Sequence, residues 1–259
     1  MTWVFLFPTW FLMVAIPAVL CGLAWAGMWT AHRFILKQEL LTHNDVAGPI
    51  MGTIGTILAV LLSFMVVTVW SQYNDSENTV QKEASAIADL HRLAGGFSDP
   101  FRTELHADLD RYLRDVIDAE WPKMRTGGIS ARAQRDAIAT VSLVNSYTPR
   151  DAREVQLDSQ VLELTRNMID SRRLRLHDNE TGIPPVLWVV MLLTSAIAVC
   201  FMYLFRVERP WMRFAMVVAF TATVALIFVL IAELDYPFRG DTHITPHSFI
   251  LVDEQLHSR

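Results

Sequence analysis

The sequence predicts an all-α membrane protein with four transmembrane helices and a helical, water-exposed domain inserted between the second and third. Three observations carry that expectation. Hydrophobic residues make up 52% of the 259 positions and charged residues only 19%, with a mean hydropathy of +0.29. A soluble domain of this length carries more charge. The apolar residues are also clustered: 5–29, 48–70, 186–205 and 214–232 contain no Asp, Glu, Lys or Arg. About 20 such residues at 1.5 Å each cross a roughly 30 Å hydrocarbon core. Finally, no stretch alternates apolar and polar residues with the period of two that a half-buried strand requires.

The first span, about 5–29, could be mistaken for a signal peptide, but it lacks a basic leader, runs too long and ends in no small-residue cleavage site. Trp3, Trp10, Trp25 and Trp29 lie near its ends, where interfacial aromatics of a retained helix belong. Pro8 and Pro17 can kink it, a feature membrane helices tolerate when neighbours re-satisfy the backbone.

The second span, about 48–70, has no breaker at its polar end. It is expected to continue as one helix to Ala94, with Gly95-Gly96 as the stop. Between Thr53 and Ala94 only Gly55 interrupts, which predicts a rod of about 40 residues, roughly 60 Å long. Ser98-Asp99-Pro100 opens the next helix, in which Phe101, Leu105, Leu109, Tyr112, Val116 and Trp121 recur at helical spacing, with Pro122 and Gly127-Gly128 as its end. Ser130 opens a helix carrying Ile138, Val141 and Leu143, and Thr148-Pro149 a longer one carrying Val155, Leu162, Met168, Ile169 and Leu176. Thr181-Gly182 and Pro184-Pro185 break that helix before the third span at about 186–205, and the fourth follows at about 212–232. The predicted domains are thus a first hairpin (1–70), the helical insert (71–185), a second hairpin (186–232) and a tail (233–259).

Several function classes find no support. The net charge of −5 is spread over both signs without a basic run, so nucleic acid is not an expected partner. No metalloprotease, P-loop, dinucleotide or nucleophile-elbow motif is present, and no enzyme activity or cofactor is expected. Cys21 and Cys200 fall inside spans and read as small buried hydrophobes. His243 and His247 are four apart beside Asp241, but Thr245-Pro246 between them argues against a helical metal site. The remaining histidines, including His32, His43, His91, His106, His177 and His257, read as surface residues. Glu233 and Asp235 end the fourth span, where a carboxylate can reach water or a salt bridge.

The second span is the most informative segment. Gly48, Gly52, Gly55, Ala59 and Ser63 recur every three or four residues, a stripe of small side chains flanked by Thr53 and Thr56. Taken alone, the stripe favours close helix packing over its alternative, a pore wall built from repeated copies. Gly52, Thr56, Ala59, Val60 and Ser63 are the pore-lining candidates. Trp70, Gln72 and Tyr73 at the span's end are the candidate interface anchors.

From Phe64 to Tyr73 the segment FMVVTVWSQY resembles the second membrane helix of bestrophins. The segment 235–241, DYPFRGD, resembles the bestrophin turn built on Asp-Pro-Phe-Gly and followed by acidic residues. Together with the order of spans, insert and tail, the chain resembles the bacterial bestrophin-like family of four-helix membrane proteins over nearly its full length. The resemblance implies a homo-oligomeric channel, pentameric, for small anions such as chloride. The second helix would line the pore and the insert would form a vestibule. It further implies a multi-pass protein of the bacterial inner membrane, in contact with the lipid bilayer, with insert and tail in the cytoplasm. The basic residues do not decide that orientation: Arg33, Lys37, Arg206, Arg209 and Arg213 on one side balance Lys82, Arg172, Arg173, Arg175 and Arg239 on the other.

Two departures stand out. Where bestrophins carry bulky residues at the pore neck, this chain has Gly52, Thr56 and Val60. After Asp241 come Thr242, His243, Ile244 and Thr245, too few carboxylates for a calcium cage. For the tail turn, with Asp235, Pro237, Phe238, Gly240 and Asp241, docking against the helical domain stands beside any ion role. The alternative to a channel is a non-conducting membrane scaffold whose helical domain binds a partner protein.

Overall fold

The computed structural model describes residues 7–34, 44–205 and 209–258; Trp3, Lys37, His43 and Arg206 lie outside them. Among the described residues all regular structure is helical: α1 (Thr9–Phe34), α2 (Asn44–Ala94), α3 (Phe101–Asp115), a π-turn (Val116–Glu120), α4 (Trp121–Met124), α5 (Ala131–Ser146), α6 (Ala152–Glu180), α7 (Pro185–Met202), α8 (Pro210–Leu234) and α9 (His247–His257). α2 runs unbroken through 51 residues. The chain divides into two compact units, 1–71 with 182–235 and 72–181 with 236–259.

The first unit holds four helices long and apolar enough to cross a membrane. Leu12 and Ile16 of α1 pack on Val229 of α8, and the Tyr203 hydroxyl donates to the Ala24 carbonyl at 2.8 Å. Gly27 lets that tyrosine approach, since a Cβ there would sit 3.0 Å from its oxygen. Trp188 of α7 meets Phe228 of α8 with ring centroids 6.4 Å apart. On α2, Leu58, Leu62, Met65 and Val69 are buried at helical intervals. Only 11% of the most apolar stretch of α1 is buried, against 39% of that of α8. Most of this apolar surface therefore faces outward from a single chain, as a lipid-bathed helix requires. Cys200, read as buried, lies on the exposed side of α7.

The second unit is a helical bundle around one apolar core. Val80, Ala84, Ile87, Leu90 and Ala94 of α2 join Phe101, Leu105, Leu109, Tyr112 and Leu113 of α3 in one apolar core. α5 contributes Ala133, Ala137 and Val144, whereas its Ile138 is 54% exposed, because small residues let α5 lie close to its neighbours. Ser130 caps α5 by accepting from the Ala133 N–H, and Asp151 caps α6 by accepting from Glu154 N–H at 2.7 Å. The tail belongs to this unit, with Phe238, Ile244, Phe249 and Val252 in the core. Pro246 sits at the N-cap of α9, so the helix begins at His247 and does not run back to His243.

Pro122 does not end the third helical segment. Lacking an N–H, it leaves the Asp118 carbonyl without its usual donor, and the ladder widens to a π-turn in which Trp121 N–H bonds the Val116 carbonyl. The helix then resumes to Met124 and closes on Gly127, whose φ of 80° only glycine adopts without strain. Gly127 N–H bonds Met124 carbonyl and Gly128 N–H bonds Lys123 carbonyl, both at 2.9 Å, the paired bonds of a Schellman stop. The extra residue in the turn aims both Glu120 and Trp121 inward, where both are buried.

What they meet is ionic. Arg175, fully buried, donates from Nε to Glu83 Oε2 at 2.7 Å and from Nη2 to Glu83 Oε1 and Glu120 Oε1, each at 2.9 Å. Arg172 reaches the other Glu120 oxygen at 2.7 Å and also Gln134. Tyr112 donates to Glu83 at 2.5 Å. The rings of Trp121 and Phe249 lie 5.1 and 5.7 Å from the Arg175 guanidinium. Burial opposes the charge on Arg175, but Glu83 outweighs it and raises the pKa above its ordinary value. Burial, with Glu83, pushes the Tyr112 phenol well up. Arg172 and Arg175, read from the sequence as charges flanking a span, are interior residues.

A second polar cluster lies where α9 meets α2 and α3. The rings of His91 and His106 stack 4.0 Å apart, and His106 Nε2 lies 2.9 Å from the His91 carbonyl, so that nitrogen carries the proton. Burial, then His106 and His257, lower the His91 pKa from 6.5, with Asp110 opposing.

Two expectations follow. Arg175→Met leaves Glu83 and Glu120 short of a buried cation and costs about 3–5 kcal/mol, read as a lower unfolding midpoint of the second unit by tryptophan fluorescence. Adding Glu83→Gln recovers part of it, and additive losses would contradict the network. The second concerns pH. A lowered folded pKa means that the neutral His91 ring stabilises fully above about 6.5 and that this contribution is lost as pH falls below it. The melting temperature should therefore drop between about pH 7.5 and 5.5, and drop less in His91→Phe; an equal drop in both proteins would refute the assignment.

Candidate functional site

The membrane-spanning part of α2 has two sides. Leu58, Leu62, Met65 and Val69 are buried, and at 100° per residue the candidates Gly52, Thr56, Ala59, Val60 and Ser63 lie away from them. All five are exposed in the single chain. The Thr56 hydroxyl donates to the Gly52 carbonyl at 2.9 Å, so its proton is spent on the helix and its lone pairs face outward. Ser63 makes no such bond among the described residues. Trp70, two turns beyond Ser63, shares this face and is 56% exposed. Gln72 and Tyr73 belong to the second unit. Gln72 donates to the Thr181 carbonyl at 3.3 Å, and Tyr73 packs partly buried against the core.

The tail turn is built on backbone demands. Ile183, ahead of Pro184-Pro185, has an N–H outside any helix, and Asp235 Oδ1 accepts it at 2.6 Å while ending α8. Asp235 is thereby buried at 5% exposure, and Glu233 is buried at 4%, where the sequence reading expected each to reach water or a salt bridge. Burial pushes the Asp235 pKa up, the Ile183 bond opposing. In the second unit, Pro237 carbonyl accepts the Ile244 N–H at 2.8 Å and the Ile244 carbonyl accepts Trp121 Nε1–H at 3.0 Å. Phe238 is fully buried with its ring edge-on to Trp121, centroids 5.9 Å apart. Gly240 takes φ 75°, and Asp241 is exposed. Among the described residues no group of three or more His, Cys, Asp or Glu is placed to hold a metal ion. His243 instead donates from Nδ1 to the Gly240 carbonyl at 2.9 Å.

Sequence reasoning counted Arg239 only as a charge near a span end and passed over Asn179, yet the turn brings them together: Arg239 Nη2 donates to the Asn179 carbonyl at 2.5 Å. No local pattern marks that pair, 60 residues apart.

The fold and these surfaces define a class: an all-helical membrane protein of four spans whose second membrane helix extends into a second helical unit. The chain belongs to the bestrophin-like family, since the sequence model of the bestrophin-like domain matches residues 18–249. Solved structures of a bacterial bestrophin homologue from Klebsiella pneumoniae, each with a single substitution, have the same fold. Two of them give TM-scores of 0.69 and 0.66 at 12% and 13% identity, each covering 95% of this chain and 98% of that one. A third gives 0.67 at 12% identity. At such identities the likeness speaks for fold alone. No curated protein matches the sequence.

Proposed function

We propose that this chain assembles with copies of itself, as a pentamer, into a channel for small anions such as chloride, with α2 lining the pore. The observation that carries the reading is the outward face of α2: in a bestrophin-like chain, the small residues Gly52, Thr56, Ala59 and Ser63 stand exposed along it, beside the bulkier Val60, Phe64 and Val67. Nothing basic lies on that face, so anion preference comes from dipoles and from arginines at the mouths. Ser63 has its hydroxyl proton to offer an ion, whereas Thr56 presents lone pairs. Gly52, Thr56 and Val60 make a wide neck in that stretch, and Trp70 is the bulkiest side chain on the face. The proposed setting is the bacterial inner membrane, with the helical unit and tail in the cytoplasm.

The second reading is a non-conducting scaffold, favoured by the same stripe, because small residues also let helices pack closely. Flux distinguishes them. A carboxylate repeated in every subunit of a poorly screened path repels anions, so Ser63→Glu should abolish or invert anion selectivity in reconstituted vesicles while the oligomer still assembles. Wild-type protein that passes no ion at any voltage would give the case to the scaffold. For orientation, Thr126→Cys in intact cells should resist a membrane-impermeant thiol reagent; labelling would place the helical unit outside.

A further inference from the structure

Three arginines in the second unit are buried, and two of them obey one rule. Arg175 is held by Glu83 and Glu120, and Arg172 by Glu120. Arg239 is 7% exposed, yet among the described residues no carboxylate lies within ion-pair distance of it. Among the described residues its one hydrogen bond runs from Nη2 to the neutral Asn179 carbonyl, and Nε makes none. On Arg175, that same Nε–Nη2 edge grips Glu83. Beside it stands Asn179, 1% exposed, with neither its amide oxygen nor its amide nitrogen hydrogen-bonded. A guanidinium cannot shed its proton to escape burial, so a counter-charge is required.

We infer that Arg239 and Asn179 form a binding site for a small monovalent anion, supplied from solution. The anion would sit in the plane of the guanidinium at Nε, with the Asn179 amide N–H as a second donor. Crowding limits its size. The Tyr236 ring lies 4.6 Å from the guanidinium carbon, and Gly127 presses so close that a Cβ there would sit 2.8 Å from Nη2. A halide or formate fits this description, and a bulky organic anion does not. The site lies wholly within the second unit, at the turn that seats the tail, and it stands whether or not the chain conducts.

Full-length protein in detergent tests it, melted in sodium bromide against sodium gluconate at equal ionic strength. Ligand binding to the folded state alone raises the melting temperature with ligand concentration, so the wild type should climb steadily with bromide. Arg239→Met should lose most of the bromide dependence, keeping only what other anion sites of the chain contribute, and in gluconate it should be no less stable than the wild type, since an uncompensated buried charge has been removed. Should that variant fail to fold, anomalous scattering from wild-type crystals grown in bromide decides: a peak within hydrogen-bond distance of Arg239 Nε supports the site. Equal bromide dependence in both proteins, or bromide peaks only elsewhere, would overturn it.

Discussion

The buried pairing of Arg175 with Glu83 and Glu120 is the constraint on which the second unit depends. Two guanidinium cations and two carboxylates, taken out of water together, balance only if all four arrive in register. They come from different elements: Glu83 from α2, Glu120 from the π-turn, Arg172 and Arg175 from α6. Tyr112 of α3 and Gln134 of α5 complete the hydrogen bonding, and α9 lays Phe249 over the guanidinium. An apolar core of leucines would tolerate a helix sliding by a residue. This one does not, because a slide strands a charge. Even the irregularity of the third helical segment serves it: without the extra residue forced by Pro122, Glu120 and Trp121 would point about 100° away from where they are needed.

α2 carries two kinds of physics on one rod. Up to Val69 its buried positions are apolar and its outward ones small or apolar, as lipid or a packed copy requires. From Ser76 onward polar groups enter the interior, Ser76 donating to Asp178 at 2.8 Å and Glu83 holding Arg175. The change happens without a break in the helix, because no glycine or proline offers one.

Much of this was legible in the sequence, and the failures share a cause. The four spans and the unbroken α2 are local properties, visible in runs of hydropathy and in missing breakers. Arg172, Arg175 and Arg239 were read only as charges near span ends because their partners lie 52, 92 and 60 residues away along the chain. Glu233 and Asp235 were read as reaching water because a span's end is near water. The burial of Asp235 answers a need elsewhere, the N–H of Ile183. Pro122 was read as a stop because proline opposes a helix, yet an adjacent π-turn absorbs it. For the candidate pore face, residue type alone carries two meanings: the same small side chains suit close packing and an open path, since each requires only that nothing bulky project.

The seating of the tail in the second unit also sets an order of events during synthesis. Trp121 is made early, but Phe238, Ile244 and Phe249, which close over it, come from the last stretch of the chain. Between Thr181 and Tyr236 the ribosome adds about 55 residues, including both helices of the second hairpin. At about 5–20 residues per second that takes roughly 3–11 s, during which Trp121 and the ionic centre beneath it lack their cover. The second unit is thus completed only after all four of these membrane helices have been translated, and a chain stalled before the tail leaves an open core for chaperones and proteases to find.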